Sequence, residues 1–229
     1  MNEKVLIIGA GHGLSTSIAR LFAAKGMKVG LAARNIEKLA ALADEIGAST
    51  FTCDASDPDA VVELFKAFGT YVGCPDILVY NPSSRVRGPI TEIDAAATKD
   101  AILVSAYGAF LAAQQAAIRM LKAGSGTMLF TGASAGVKGY PRSASFAMGK
   151  FALRGLCQSL ARELSPQNIH VAHFVIDGHI HNKQRDEPQS DPATSLDPDD
   201  IAKSYLHIAR QNPSAWTSEI ELRPSVETF

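Results

Sequence analysis

The run Ser145-Phe146-Ala147-Met148-Gly149-Lys150-Phe151 holds a candidate chemical pair. A spacing of four places Phe146 and Lys150 on one helix face, a turn apart. An ammonium beside a phenol lowers the phenol's pKa and makes it a usable acid. At residue 146 the ring is present and the hydroxyl is not. Other candidate proton donors are Tyr140, in Gly139-Tyr140-Pro141 just before this helix, and His179 and His181. Histidine titrates near neutral pH, and these two alternate with Asp177 as residues on one strand face do. A metal site on Asp177, His179 and His181 has no evident fourth ligand, so no metal is expected. His170 and His173 are oddly spaced, which points them to opposite strand faces, and they read as structural. Arg85 and Arg87, after Ser83-Ser84, are candidates to meet an anionic substrate; a solvated loop is the alternative.

A second motif binds rather than reacts. Gly9-Ala10-Gly11-His12-Gly13-Leu14-Ser15 follows a short aliphatic run and opens a helical one. Glycines there permit a tight turn and close approach of a pyrophosphate, and the helix N-terminus offers free N–H groups. After the second apolar run comes Ala32-Ala33-Arg34-Asn35. No carboxylate stands there to bind a ribose 2′-OH, whereas Arg34 offers a cationic fork suited to a 2′-phosphate, with His12 nearby. NADP is therefore expected over NAD.

These groups must be positioned by a fold, and the periodicity names one. Short aliphatic runs at Lys4–Ile8, Lys28–Ala32, Thr50–Cys53, Asp76–Tyr80, Thr127–Thr131, Ile169–Ile176 and Thr217–Leu222 read as strands. Between them, helical spacing covers Leu14–Lys25, Ile36–Ile46, a helix started by Ser56-Asp57-Pro58, Ala95–Leu121, Ser143–Leu164 and Asp199–Arg210. Alternation of this kind predicts an α/β, doubly wound parallel sheet of about seven strands with helices on both faces, one Rossmann-type domain over residues 1–229. Residues 181–200, rich in Pro, Asp, Ser and Gln, read as a long lid loop over the substrate site.

The totals set limits. With 229 residues, 46% hydrophobic and 20% charged, one full core can form. A net charge of −1 argues against nucleic-acid or anionic-membrane binding. Cys53, Cys74 and Cys157 are odd in number and widely spaced, which fits a reducing cytoplasm rather than a disulfide or zinc framework. The apolar run at the N-terminus is too short for a signal peptide, and no later run is expected to span a membrane.

Taken together, these residues resemble the short-chain dehydrogenase/reductase family over almost the whole chain. Gly9 and Gly13 fit its glycine motif, with Gly11 and Leu14 in the same expected cofactor-binding loop; its third motif glycine is Ser15 here, a change expected to loosen helix-on-strand packing. The resemblance places Asp54, with Ala55 beside it, at the adenine, and matches Asn81 to the asparagine after the fourth strand. It puts Gly178 and Ile180 at the nicotinamide. It gives Lys150 the role of the lysine that holds the nicotinamide ribose. It puts Phe146 at the position of the catalytic tyrosine and Ser105 at that of the relay asparagine. The serine position falls on Ala133, with Ser134 next to it as the replacement candidate. The resemblance further implies a homotetramer or homodimer built on the two long helices. The expected function is an NADP-dependent oxidoreductase acting on a carbonyl or alcohol through a modified proton relay. The alternative is an inactive NADP-binding regulator or oligomer partner. Nothing in the sequence names a substrate.

Overall fold

A computed structural model of the chain describes residues 3–181 and 194–226. The strands are β1 (Lys4–Ile8), β2 (Lys28–Ala33), β3 (Ser49–Thr52), β4 (Ile77–Tyr80), β5 (Gly126–Thr131), β6 (Ile169–Ile176), a two-residue pair β7 (His179–Ile180) and β8 (Ser195–Leu196), and β9 (Glu219–Leu222). The helices are α1 (Leu14–Ala24), α2 (Ala40–Ile46), α3 (Pro58–Tyr71), α4 (Ala95–Ile102), α5 (Gly108–Ala123), α6 (Ala144–Leu164) and α7 (Pro198–Ala209).

Seven strands form one parallel sheet in the order β3-β2-β1-β4-β5-β6-β9. Strands such as β4 and β6 are buried along their whole length, as expected where helices cover both faces. One face is closed by α3, α5 and α6, through Leu64, Phe65, Phe68, Ala112, Met120 and Leu153. The other is closed by α1, α2 and α7, through Ile18, Phe22, Leu42, Ile201 and Tyr205. The direction of strand order reverses between β1 and β4, and in such sheets ligands bind beyond the strand C-termini at that switch point. The expected doubly wound sheet is the observed one.

Local chemistry sets the boundaries. Asp57 accepts hydrogen bonds from the Asp59 and Ala60 amides and caps α3 ahead of Pro58. The expected helix at 36–46 begins as a tight 3-10 turn at Glu37–Leu39. The helical run from Ala95 to Ala123 is not uniform: Leu103–Tyr107 is a π-helical turn between α4 and α5. Such a turn loosens carbonyl pairing, and here the buried Tyr80 hydroxyl donates to the Val104 carbonyl at 2.6 Å. This run is, against expectation, long and apolar enough to cross a membrane. Part of its apolar surface packs into the core, with Ala109, Ala112, Ala113, Ala116 and Met120 buried.

The expected lid differs at its described end. Ser195–Leu196 pair with His179–Ile180, and α7 starts at Pro198, capped by Asp197 accepting from the Asp199 amide. Residues 182–193 of that segment lie outside the described residues.

Candidate functional site

The loop Gly9–Gly13 leaves the C-terminal end of β1 at the switch point. Gly13, with φ of +97°, is the N-cap of α1 and supplies no side-chain cap. No acidic residue occupies the first turn of α1. The helix therefore opens with unneutralised N–H dipoles, the condition for holding an anion. The loop is braced from behind. Ser15 donates to the Gly9 carbonyl at 3.1 Å and accepts from the Asn81 amide at 2.6 Å, while Thr16 donates to the Gly11 carbonyl. Ser15 is buried, so it ties the loop to β4 rather than loosening α1. Asn81 thus holds the loop in shape.

At the end of β2, Arg34 is exposed and lies near Asp54. Asp54 accepts from the Ser56 hydroxyl and amide, and these bonds, with a smaller contribution from Arg34, lower its pKa. Ala55 beside it is buried. The geometry leaves a cation and a fixed carboxylate at the far end of the loop.

A cleft of about 640 Å³ opens over the ends of β1, β4, β5 and β6. His12, Gly13 and Leu14 form one wall; Asn81, Ser83, Arg85 and Arg87 another; Thr131, Gly132, Ala133, Phe146 and Lys150 the floor; Ile176, Gly178, His179 and Ile180 the far side. Phe146 and Lys150 lie on one face of α6, as their spacing predicts, with the Lys150 ammonium 5.8 Å from the ring centroid. Lys150 is 2% exposed and donates to the Thr131 carbonyl at 2.8 Å. Burial pushes its pKa down to about 8, and the Arg85 charge adds to the effect. Arg85 sits over the Phe146 ring with its guanidinium carbon 4.2 Å from the centroid. The Thr131 carbonyl is a backbone group, so no sequence signal marks it. Its strand end is also held by Tyr205, which shares a hydrogen bond with the Thr131 hydroxyl at 2.8 Å and stacks on Phe174.

Several expected groups fall elsewhere. Ala133 lines the cleft, and Ser134 starts a 3-10 turn and is not among the described lining residues. Ser105 lies in the π-helical turn, buried against Gly149 of α6, where a Cβ on Gly149 would come within 2.9 Å of the serine. It packs two helices together and is not part of the described cleft lining. Tyr140 is exposed beneath the Lys138 ammonium, which is 5.5 Å from its ring, and also lies outside that lining. His179 lines the cleft, and His181 does not. Asp177 is buried and paired with Arg223 at 3.0 Å and Lys138 at 3.6 Å, away from any shared role with the histidines.

His170 and His173 belong to the fold. His170 bonds the Thr217 carbonyl and stacks on Trp216. His173 bonds Glu219, which also holds Arg154 in a two-pronged pair. Glu219 pulls the His173 pKa up, yet burial outweighs it and the net shift is down. A neutral ring donating from Nδ1 to Glu219 leaves Nε2 as an acceptor, and that atom is buried against Gly132 with no hydrogen-bond partner.

The buried ammonium has a pH signature. In the unfolded chain Lys150 keeps its proton to about 10.5; folded, it releases it near 8. Between those values the unfolded state binds more protons, so this group's contribution to stability rises with pH. Lys150→Met removes that rise. Urea denaturation from pH 7.5 to 10 should show K150M losing ground to the parent as pH increases. A constant difference between the two would mean that the ammonium is not desolvated.

Comparison with known proteins places this geometry. The family model for short chain dehydrogenase matches residues 3–183. A short-chain dehydrogenase from Rhodopseudomonas palustris is 35% identical and superposes with a TM-score of 0.84 over 98% of this chain and 99% of that one. A metagenomic short-chain oxidoreductase, solved in complex with NADP, is 28% identical with a TM-score of 0.83, over 98% of each chain. The 3-oxoacyl-(acyl-carrier-protein) reductase MabA of Mycobacterium tuberculosis is 30% identical over 180 residues, 79% of this chain and 70% of that protein. With the glycine loop, the switch-point cleft and the helix-borne lysine in place, this chain belongs to the short-chain dehydrogenase family.

Proposed function

We propose that this protein is an NADP-dependent oxidoreductase of carbonyl or alcohol substrates whose proton relay is altered at Phe146. The observation that carries the reading is that the open N-terminus of α1 and the buried Lys150 ammonium face one cleft. The residues present fit a dinucleotide: Gly9, Gly11, His12, Gly13 and Leu14 would hold its phosphates, Arg34 the 2′-phosphate, and Asp54 and Ala55 the adenine side. Gly178, Ile180 and Lys150 would hold the nicotinamide side. Bound there, the cofactor supplies a hydride donor or acceptor. The NADP complex of the metagenomic relative and the name of the mycobacterial reductase support the same direction.

The protein's own contribution divides in two. Lys150 orients and neutralises from the floor of the cleft. Phe146 offers a ring without a proton, and neither Ala133 nor the packed Ser105 supplies one. A positioned acid is worth about 10²–10⁴-fold in rate, so turnover is expected to be slow. Among the described lining residues His179 is the histidine placed beside Gly178 and Ile180, and it is the proton donor we favour. A second reading, an NADP-binding protein without turnover, is favoured by the same apolar pair of Ala133 and Phe146.

Phe146→Tyr separates the two. On simple aldehydes and ketones, NADPH oxidation should rise about ten- to a hundred-fold over the parent if only the acid is absent. An unchanged rate, with NADPH bound, favours the non-catalytic reading.

Arg34→Ala should weaken NADPH binding by about ten-fold and leave NADH binding unchanged, as loss of one charge-assisted contact to a phosphate does. Equal losses for both cofactors in calorimetry would remove the case for a 2′-phosphate site.

We also propose a homo-oligomer. Tyr107 at the end of the π-helical turn, Phe110, Ile118 and Leu121 along α5, and Met148 and Phe151 on α6, are each at least 40% exposed. Apolar surface of this extent suits contact between copies. Light scattering should give a dimer or tetramer mass; a monomer at every concentration would contradict the proposal.

A further inference from the structure

Tyr205 stands on α7, in the helix layer on the opposite face of the sheet from α6, and has no part in the cofactor contacts proposed above. It is fully buried. We propose that Tyr205 is a positioning residue for Lys150: from across the sheet it fixes the Thr131–Gly132 peptide on which the ammonium rests. The inference deepens the functional reading above, and rests on it for the role of Lys150 toward a nicotinamide cofactor.

The bonds converge on that one peptide. Its carbonyl, from Thr131, accepts from the Lys150 ammonium at 2.8 Å. Its N–H, from Gly132, donates to the Phe174 carbonyl at 2.7 Å. A trans peptide carries its N–H and its carbonyl on opposite edges of one plane, so the bond to β6 turns the carbonyl toward α6. A peptide already bonded through its N–H is also the stronger acceptor at its carbonyl. Tyr205 reaches this unit by two routes. Its hydroxyl shares a hydrogen bond of 2.8 Å with the Thr131 side chain, and its ring stacks on Phe174, with centroids 3.7 Å apart and planes 12° from parallel. One side chain thus holds both the residue that supplies the carbonyl and the residue that receives the N–H. The peptide needs such a hold. Pairing of β5 with β4 stops at Phe130, which leaves Thr131 with β6 as its strand neighbour. Residue 132 must be glycine, because a Cβ there would collide with His173 and the Phe174 carbonyl, and glycine restrains the backbone least.

The test removes one oxygen at a time. Tyr205→Phe keeps the stack and loses its hydroxyl; Thr131→Val keeps the shape and loses the other; Thr131→Ser retains a hydroxyl and serves as the rescue. Urea denaturation of the cofactor-free chain is followed from about pH 6.5 to about pH 9, below the range where an unfolded tyrosine releases its proton. The charged and titratable groups around Lys150 are Arg85, Cys157 and His173, and burial pushes the Cys157 thiol above this range and the His173 ring below it. A looser acceptor makes the buried ammonium give up its proton earlier. The destabilisation caused by Tyr205→Phe and by Thr131→Val should therefore shrink as pH rises, by about five- to ten-fold in the folding equilibrium constant. Thr131→Ser should follow the parent's pH profile. With Lys150→Met already in place, Tyr205→Phe and Thr131→Val should cost the same at every pH. In calorimetry near neutral pH both should also bind NADPH about five- to ten-fold more weakly than the parent. A destabilisation independent of pH, or a pH dependence that survives Lys150→Met, would reduce Tyr205 to packing and overturn the proposal; so would NADPH affinity unchanged in both variants. Should one variant not fold, the other decides. Failure of the parent itself to bind NADPH would count against the cofactor reading alone, because the pH profile is measured without cofactor.

Discussion

The hydrogen bond from the Lys150 ammonium to the Thr131 carbonyl organises the site. Moving an ammonium out of water costs several kcal/mol, and the cost is tolerable only where strong acceptors are fixed nearby. The last carbonyl of β5 is such an acceptor, and it is fixed from both faces. On one side α6 brings the lysine down onto it. On the other, Tyr205 of α7 holds the Thr131 hydroxyl and stacks on Phe174 of β6. The strand end cannot shift without disturbing both helix layers. With Lys150 set, the helical repeat places Phe146 one turn earlier at the cleft floor, and Phe146 in turn seats Arg85.

The two ends of the cleft obey different physics. At the α1 end the backbone does the work: a left-handed glycine, unsatisfied amides and a helix dipole, braced by Ser15 and Asn81. Side chains there act by bracing the turn, and a serine fits where a glycine was expected because its hydroxyl bonds both the Gly9 carbonyl and the Asn81 amide. At the α6 end the chemistry depends on single atoms. Residues 133 and 146 present a methyl group and a bare ring to the cleft, and neither carries a hydroxyl. Arg85 over the ring changes the local field, and its charge contributes to the lowered pKa of Lys150.

Much of the fold was legible because a buried parallel sheet leaves a plain record. Its strands are short aliphatic runs, its helices carry one apolar stripe, and glycine or proline marks the joins. The seven strands of the sheet fall within a few residues of the expected ranges, and the Asp57-Pro58 start of α3 is where its capping chemistry puts it. The π-helical turn at 103–107 left no such record, since its sequence continues the apolar pattern of the helices around it. The same continuity hid that the 95–123 run is long and apolar enough to cross a membrane while one side of it packs into the core.

By itself the sequence determined the order of elements, the glycine loop after β1, the cation at residue 34 and the pairing of residues 146 and 150. Each of these is local, carried by residue type and by spacing along one element. Only the tertiary structure decided which side chains share the cleft. It set Ala133 in the floor and Ser134 outside, packed Ser105 beneath Gly149, drew Asp177 to Arg223 and Lys138, and laid Arg85 on Phe146. The reason is physical: these choices depend on where separate strand ends and helices meet, and on which buried polar atoms find partners there.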